Sequence, residues 1–303
     1  HQTRDRSVFA ALQGVNADGH RFDVFVKWPD GTIGRPLMVA IQDLYSGMML
    51  AHRIERDENW SAVRHTFADL IESFGIPEEC WLDNGRQFAA KWLTGGMPNR
   101  YRFKVRDDEP AGLLTQLGVK VHWTTPYHGQ AKPIERAFRD MCDDIARHPA
   151  CAGAYTGNSP VTKPDNYGSK AIPLDDFRAL VAAEIARHNA RPGRRAAVCA
   201  GRSFAETFRA SFEAPTTLVR RASEAQRRLF LMAAEGVTCR KPTGEVQLAD
   251  NRYWAQELVE HMGRKVVVRF DPQDLLAGVA VYTLDGRFIV DAACIAATGF
   301  DDM

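Results

Sequence analysis

The sequence predicts an α/β protein: a mixed sheet flanked by helices, followed by a small all-β barrel. Three observations predict it. Strand-like apolar runs open the chain, and helical and strand periodicities then alternate over residues 59–145. After residue 220 the composition shifts to short strand runs set between turn signals. Within that second region an Asp285-Gly286 pair separates two apolar runs, a strong hairpin signal. A length of 303 residues suits two domains, and we expect them at residues 1–230 and 231–303.

The elements follow in order. Residues 8–15 are mostly apolar and lead into Asn16-Ala17-Asp18-Gly19, which reads as a strand closing on an acid and a turn. Phe22, Val24, Val26 and Trp28 alternate with Asp23, Phe25 and Lys27 and predict a second strand. Runs at 37–42 and 48–54, joined through Tyr45-Ser46-Gly47, predict a hairpin. Asn59 then caps a helix whose apolar positions are 60, 63, 67, 70, 71 and 74, and Gly75 stops it. Residues 80–82 form a short strand that runs into Asp83-Asn84-Gly85. A short helix at 88–93, an irregular basic excursion at 95–109, a helix at 113–117 and a strand at 119–123 come next. A helix opens near Pro133, where a missing N–H loses no partner. It buries Ile134, Phe138, Met141 and Ile145. A long loop at 150–170 precedes helices at 174–189 and 204–212, with a basic segment between them. A linking helix at 223–230 leads to five short strands, at 236–240, 245–248, 264–270, 278–283 and 287–290, the pattern of a small barrel.

Composition narrows the possibilities. The chain is 45% hydrophobic and 25% charged, ordinary for a globular protein. No apolar run reaches membrane length and no signal peptide is visible, so no membrane partner is expected. The first residue is His, which suggests a piece of a longer polypeptide. Six scattered cysteines fit neither a metal-ligand spacing nor a disulfide scaffold, and read as reduced thiols in the cytoplasm. A net charge of +1 neither requires nor excludes nucleic acid, because a local basic patch can bind phosphates on a nearly neutral protein.

Three acids fall at the joints between predicted elements. Asp18 ends the first strand, Asp83 ends the strand after the first long helix, and Glu135 opens the helix after the last strand. Adjacent strand ends and helix starts meet at one edge of a mixed sheet, so these carboxylates can form an oxygen-rich pocket. Such donors suit Mg²⁺ or Mn²⁺. Two ions about 3.5–4 Å apart clamp the attacking and leaving oxygens of a phosphodiester. The competing readings are a first-turn Glu135 favoured by the helix dipole, and three acids chosen from 38, with Asp43, Asp23 and the 107–109 cluster as rivals. Lys104, Arg106, Lys132, Arg136 and Arg139 are the candidate phosphate contacts, against a plain solvated basic face. Asn84, Gln130, Trp92 and Tyr127 are candidate substrate neighbours, while His122, His128 and Cys142 read as structural.

Asp83-Asn84-Gly85 after a strand, and Thr125-Pro126-Tyr127 with Gln130 and Glu135-Arg136 before a helix, resemble the retroviral-integrase and DDE-transposase superfamily. Longer blocks resemble the phage Mu transposase family. Among them are Gly14-Val15-Asn16-Ala17-Asp18-Gly19, Lys91-Trp92-Leu93-Thr94-Gly95-Gly96, Lys163-Pro164-Asp165-Asn166-Tyr167-Gly168 and Lys265-Val266-Val267-Val268-Arg269-Phe270-Asp271-Pro272. The resemblance covers nearly the whole chain. It implies an RNase H-like catalytic domain and a C-terminal barrel, with Asp18, Asp83 and Glu135 as the catalytic and metal-binding acids and two Mg²⁺ ions, replaceable by Mn²⁺, as cofactor. It also implies a transposase that nicks transposon 3′ ends and joins the 3′-hydroxyl to target DNA. Its partners are double-stranded DNA and other copies of itself, in a bacterial host's cytoplasm. A nuclease without strand transfer and a non-catalytic DNA-binding or assembly module are the alternatives. Ala17 stands where the family has Gly, and residues 84–87 and the loop before Gln130 also depart from its pattern. The family's end-recognition domains and basic tail are expected outside residues 1–303.

Overall fold

The computed structural model describes residues 5–57, 59–83, 88, 91–94, 112–123, 133–157, 169–230, 233–248, 250–271 and 274–295. The chain divides into two compact units. One comprises His1–Gln87 and Lys120–Arg221, the other Phe88–Val119 and Ala222–Met303.

The first unit is built on five strands: β1 (Gly14–Arg21), β4 (Leu37–Asp43), β5 (Met49–Glu55), β6 (Glu79–Leu82) and β7 (Lys120–Trp123). Their order is β5-β4-β1-β6-β7. The first three pair antiparallel, while β1 with β6 and β6 with β7 pair parallel. This is the mixed sheet that the sequence predicts. The short strands β2 (Val26–Lys27), β3 (Ile33–Gly34) and β8 (Ile172–Pro173) form a small second sheet.

Helices cover both faces. Helix α1 (Trp60–Ser73) starts where Asn59 accepts the N–H of Ala62 at 2.9 Å, and it buries Val63, Phe67, Leu70 and Ile71. Gly75, at φ +116°, ends it. On the other face, α4 (Pro133–Ala146) and α5 (Leu174–Ala190) pack in one cluster with Phe22, Met38, Ala40 and Ile54. Phe22 meets Phe177 edge-on at 5.1 Å within it. Helix α6 (Phe204–Phe212) completes the unit.

The second unit contains α2 (Lys91–Thr94), α3 (Leu113–Gln116), α7 (Glu224–Phe230) and a six-stranded antiparallel sheet. Its strands are β9 (Ala233–Thr238), β10 (Val246–Leu248), β11 (Asn251–Trp254), β12 (Lys265–Phe270), β13 (Val279–Tyr282) and β14 (Phe288–Cys294), in the order β10-β11-β14-β13-β12-β9. Arg240 N–H bonds Glu245 carbonyl at 2.7 Å, bringing the end of β9 back toward β10 and nearly closing a barrel. Val246, Tyr253, Val266, Val268, Val279 and Val281 fill it.

Three expectations need correction. The first strand does not close on Asp18: it starts at Gly14 and carries Asp18 in its interior, because the ladder to β4 continues to Arg21↔Leu37. An apolar run marks only the half of β1 that is buried on both faces. The second predicted strand contributes a ladder only at Val26–Lys27, although Phe22, Val24, Val26 and Trp28 are all buried. The barrel has a sixth strand, Asn251–Trp254, hidden from the sequence by the turn-like Asp250-Asn251 pair. The 95–109 excursion lies outside the described residues.

Candidate functional site

Parallel pairing sets the first relationship of the site. Gly14, Val15 and Asn16 pair with Glu79, Cys80 and Trp81, an offset of 65 residues (79 − 14). Asp18 and Asp83 share that offset (83 − 18), with the ladder ending at Asn16↔Trp81 and Asp83 lying directly after β6. Alternation along each strand sends Val15, Ala17, Cys80 and Leu82, all buried, to one face. Asn16, Asp18 and Trp81 take the other, the face covered by α4. The Asp18 Oδ1 accepts the N–H of Gly19 at 2.9 Å.

Helix α4 supplies the third acid. Glu135 is exposed in its first turn, while Ile134, Ala137, Phe138, Met141 and Cys142 anchor the helix to the core. Asp18 and Glu135 line one cavity of about 420 Å³. His20, Phe138, Arg139 and Cys142 are also in its wall. His20 packs 5.4 Å from Phe138 and 5.3 Å from Phe22, and burial holds its pKa below the ordinary histidine range. Burial pushes the Cys142 thiol up, in keeping with a core role. Asp23, a rival acid in the sequence, and Asp143, which sequence reading does not single out, line the same cavity. Asp23 pairs with Arg35, and Asp143 with Arg147 at 3.2 Å. Strand register and helix periodicity, taken together, are the signals that could have placed them there.

Among the described residues no three His, Cys, Asp or Glu side chains are grouped closely enough to hold a metal ion. Asp18 and Glu135 line one space, and carboxylate oxygens of that kind suit a hard divalent cation.

Of the candidate phosphate contacts, Arg136 and Arg139 are exposed on α4, and Arg139 reaches the cavity. Lys104, Arg106 and Lys132 lie outside the described residues, as do Asn84, Tyr127, His128, Gln130 and the 107–109 acids. Asp43 is fully buried and accepts from Leu12 N, Ser46 N and Ser46 Oγ, so it serves the fold. His122 stacks on Trp81 with ring centroids 4.3 Å apart, and its Nε2 lies 2.6 Å from a Glu79 oxygen. All six cysteines are free thiols. Among the described residues no helix is long and apolar enough to cross a membrane.

A family model described as bacteriophage Mu transposase matches residues 7–213, and a second, Mu transposase C-terminal, matches residues 228–291. The chain is 34% identical over 318 aligned positions to a Mu-like prophage FluMu transposase A of Haemophilus influenzae. That alignment covers 99% of this chain and 46% of the relative, so the chain spans about half the relative's length. Among solved structures, an HTLV-2 integrase catalytic core domain in complex with magnesium is similar at TM-score 0.40 and 13% identity, covering 66% of this chain and 97% of that one. A simian T-cell lymphotropic virus intasome in complex with a regulatory subunit is similar at TM-score 0.44 and 10% identity, covering 96% of this chain and 82% of that one.

Proposed function

This chain belongs to the bacteriophage Mu transposase family, and on that premise we propose that it is the catalytic core of a DNA transposase. In this reading it nicks the 3′ ends of a transposon and joins each freed 3′-hydroxyl to target DNA. Residues 1–230 form its catalytic domain and residues 231–303 its barrel. The observation that supports the reading is that Asp18 and Glu135 line one cavity, with Asp83 directly after β6, the strand that pairs parallel with β1.

Asp18, Asp83 and Glu135 are the residues that would hold two Mg²⁺ ions. When bound, such ions lower the pKa of an attacking hydroxyl and neutralise charge on the leaving oxygen. The protein's own contribution is placement. Strand β1 carries Asp18 in its ladder to β4, its parallel partner β6 leads into Asp83, and the buried face of α4 carries Glu135. Arg136 and Arg139 on the exposed side of α4, with Lys132, Lys104 and Arg106, meet the DNA phosphates and set the path of the strand. The working assembly is a homo-oligomer on paired DNA ends, in the cytoplasm of the bacterial host.

The test uses the ends of the element that encodes the chain. The complete transposase is incubated with a supercoiled plasmid carrying those ends, and separately with a pre-cut end and a target plasmid. Nicking and joined products are expected with Mg²⁺, and neither from Asp18→Asn, Asp83→Asn or Glu135→Gln. Full activity in any one of these variants rejects the triad. Nicking without any joined product rejects strand transfer and leaves a nuclease.

A further inference from the structure

We propose that Asn16 and Gln42 form a positioning pair beneath Asp18, coupled through one shared water molecule. The inference rests on the reading of Asp18 as a metal-binding acid. Asn16 and Gln42 are direct partners across the antiparallel ladder of β1 and β4. Both are buried, at 0% and 2% exposure. Within the first unit, Asn16 Oδ1, Asn16 Nδ2 and Gln42 Oε1 are all buried without a hydrogen-bond partner. The other end of the Gln42 amide is anchored, with Nε2 donating to Gly47 carbonyl at 2.9 Å.

Two of these three orphaned atoms, the side-chain oxygens of Asn16 and Gln42, belong to one cross-strand pair and have a common explanation. A buried amide without a partner carries its full desolvation penalty, and buried polar groups are satisfied by protein or by ordered water. Residues directly opposite on antiparallel strands have Cβ atoms about 4.5–5.5 Å apart. That spacing lets one water molecule reach both amides at ordinary hydrogen-bond lengths. A water here donates one proton to Gln42 Oε1 and the other to Asn16 Oδ1, the two oxygens that no strand N–H reaches. The site is polar and enclosed, the setting in which internal waters are structural.

Its place in the sheet gives the pair a task. Asn16 lies two residues before Asp18 on the same face of β1, and Gln42 lies two residues beyond Ala40, the partner of Asp18. A hydrogen-bonded bridge at that level fixes the spacing of β1 and β4 directly below the carboxylate. Outer residues that orient a metal-binding group commonly alter affinity by about 10- to 100-fold when removed.

The experiment measures Mn²⁺ binding by calorimetry on the 303-residue chain, with thermal unfolding of each variant alongside. Asn16→Leu and Gln42→Leu are each expected to weaken Mn²⁺ binding about tenfold. The double variant should be no weaker than the poorer single one, and its unfolding midpoint should lie above those of the single variants, each of which leaves one buried amide oxygen unpaired. A merely structural pair would leave the Mn²⁺ affinity of the folded fraction unchanged in all three variants, which overturns the proposal. Should Asn16→Leu fail to fold, Asn16→Ser and Gln42→Leu carry the same comparison. A crystal structure that resolves waters should show the bridging molecule; two amides with no shared partner overturn it. If the parent binds no Mn²⁺ and Asp18→Asn behaves identically, the metal-site reading itself has failed, and the pair falls with it.

Discussion

The buried carboxylate of Asp43 accepts the backbone N–H of Leu12 at 2.9 Å, tying the chain that enters β1 to the hairpin that follows β4. Leu12 sits at φ +66°, a left-handed conformation that a leucine adopts only when something holds it there. The other Asp43 oxygen accepts from Ser46 N at 2.7 Å and Ser46 Oγ at 2.6 Å.

This carboxylate makes stability depend on pH. Burial pushes its pKa up to about 6 from 3.8, outweighing the hydrogen bonds from Ser46 and Leu12 and the nearby Arg6 charge. A raised folded-state pKa means that the folded protein binds the proton more tightly than the unfolded chain. The contribution is therefore complete below pH 3.8 and is lost as pH rises through about 6. Its full span is about 3 kcal/mol. Asp43→Asn removes that slope but turns an NH₂ toward N–H donors, so it lowers stability at every pH. Urea unfolding of parent and variant from acid to neutral pH checks both the slope and the offset.

The barrel contains the reverse problem. Arg269 on β12 is 2% exposed, yet its Nε and Nη2 have no hydrogen-bond partner, and among the described residues no carboxylate pairs with it. Burial lowers its pKa, and the Tyr282 ring 5.5 Å away is its visible compensation. Replacing an uncompensated buried charge by an apolar side chain of similar length removes a desolvation penalty. Arg269→Met is expected to stabilise the barrel by about 1–4 kcal/mol, less about 1 kcal/mol for the lost cation–π contact. Arg269→Lys should destabilise it, because an ammonium is harder to desolvate. Calorimetric melting of the three proteins orders them.

Much of this architecture was legible because its signals were local. Asn59, the helical spacing after it and Gly75 define α1 without any tertiary information. Residues 204–212 likewise read directly as α6. The strand Asn251–Trp254 was not legible, since only Tyr253 is fully buried in the barrel and its neighbours are polar or exposed. The acids at 83 and 135 stood out because they fall at joints between elements, and Asp18 because it follows the apolar run, although β1 continues past it. Asn16 and Asp143 did not, because their meaning depends on which elements pack together, and in what register.

Ser203 and Glu206 show what a local signal is worth. Ser203 Oγ accepts Glu206 N–H at 3.1 Å, and a Glu206 oxygen accepts Ser203 N–H at 2.8 Å, closing a reciprocal cap on α6. That helix lays Phe208 against Phe74 at the end of α1, with ring centroids 5.4 Å apart. Ser203→Ala should cost about 1 kcal/mol. Ser203→Thr should recover much of it, because its hydroxyl both accepts the Glu206 N–H and donates to the Glu206 carboxylate. Chemical denaturation of both variants gives the answer, and equal losses would show that the side chain packs and does not cap.

Gly75 joins stability to the site. It lies at φ +116°, and a Cβ built there would fall 2.7 Å from the carbonyl oxygen of Arg220 and 2.9 Å from Val219 Cγ1. The next residue, Ile76, donates its N–H to that same carbonyl at 2.7 Å, and the Arg220 side chain bonds Pro77 carbonyl. This junction turns the chain from α1 into β6, the strand that delivers Asp83. Gly75→Ala thus meets a backbone wall as well as an unfavourable dihedral, and should cost about 1–3 kcal/mol. To relieve the clash the Arg220 carbonyl must move, and the bond from Ile76 moves with it. Because that displacement is passed along β6 toward Asp83, divalent-cation binding should weaken at temperatures where the variant is still folded. Thermal unfolding and Mn²⁺ calorimetry on the same Gly75→Ala sample check both effects. Parental stability together with parental Mn²⁺ affinity would show that the junction yields freely and does not fix the acid.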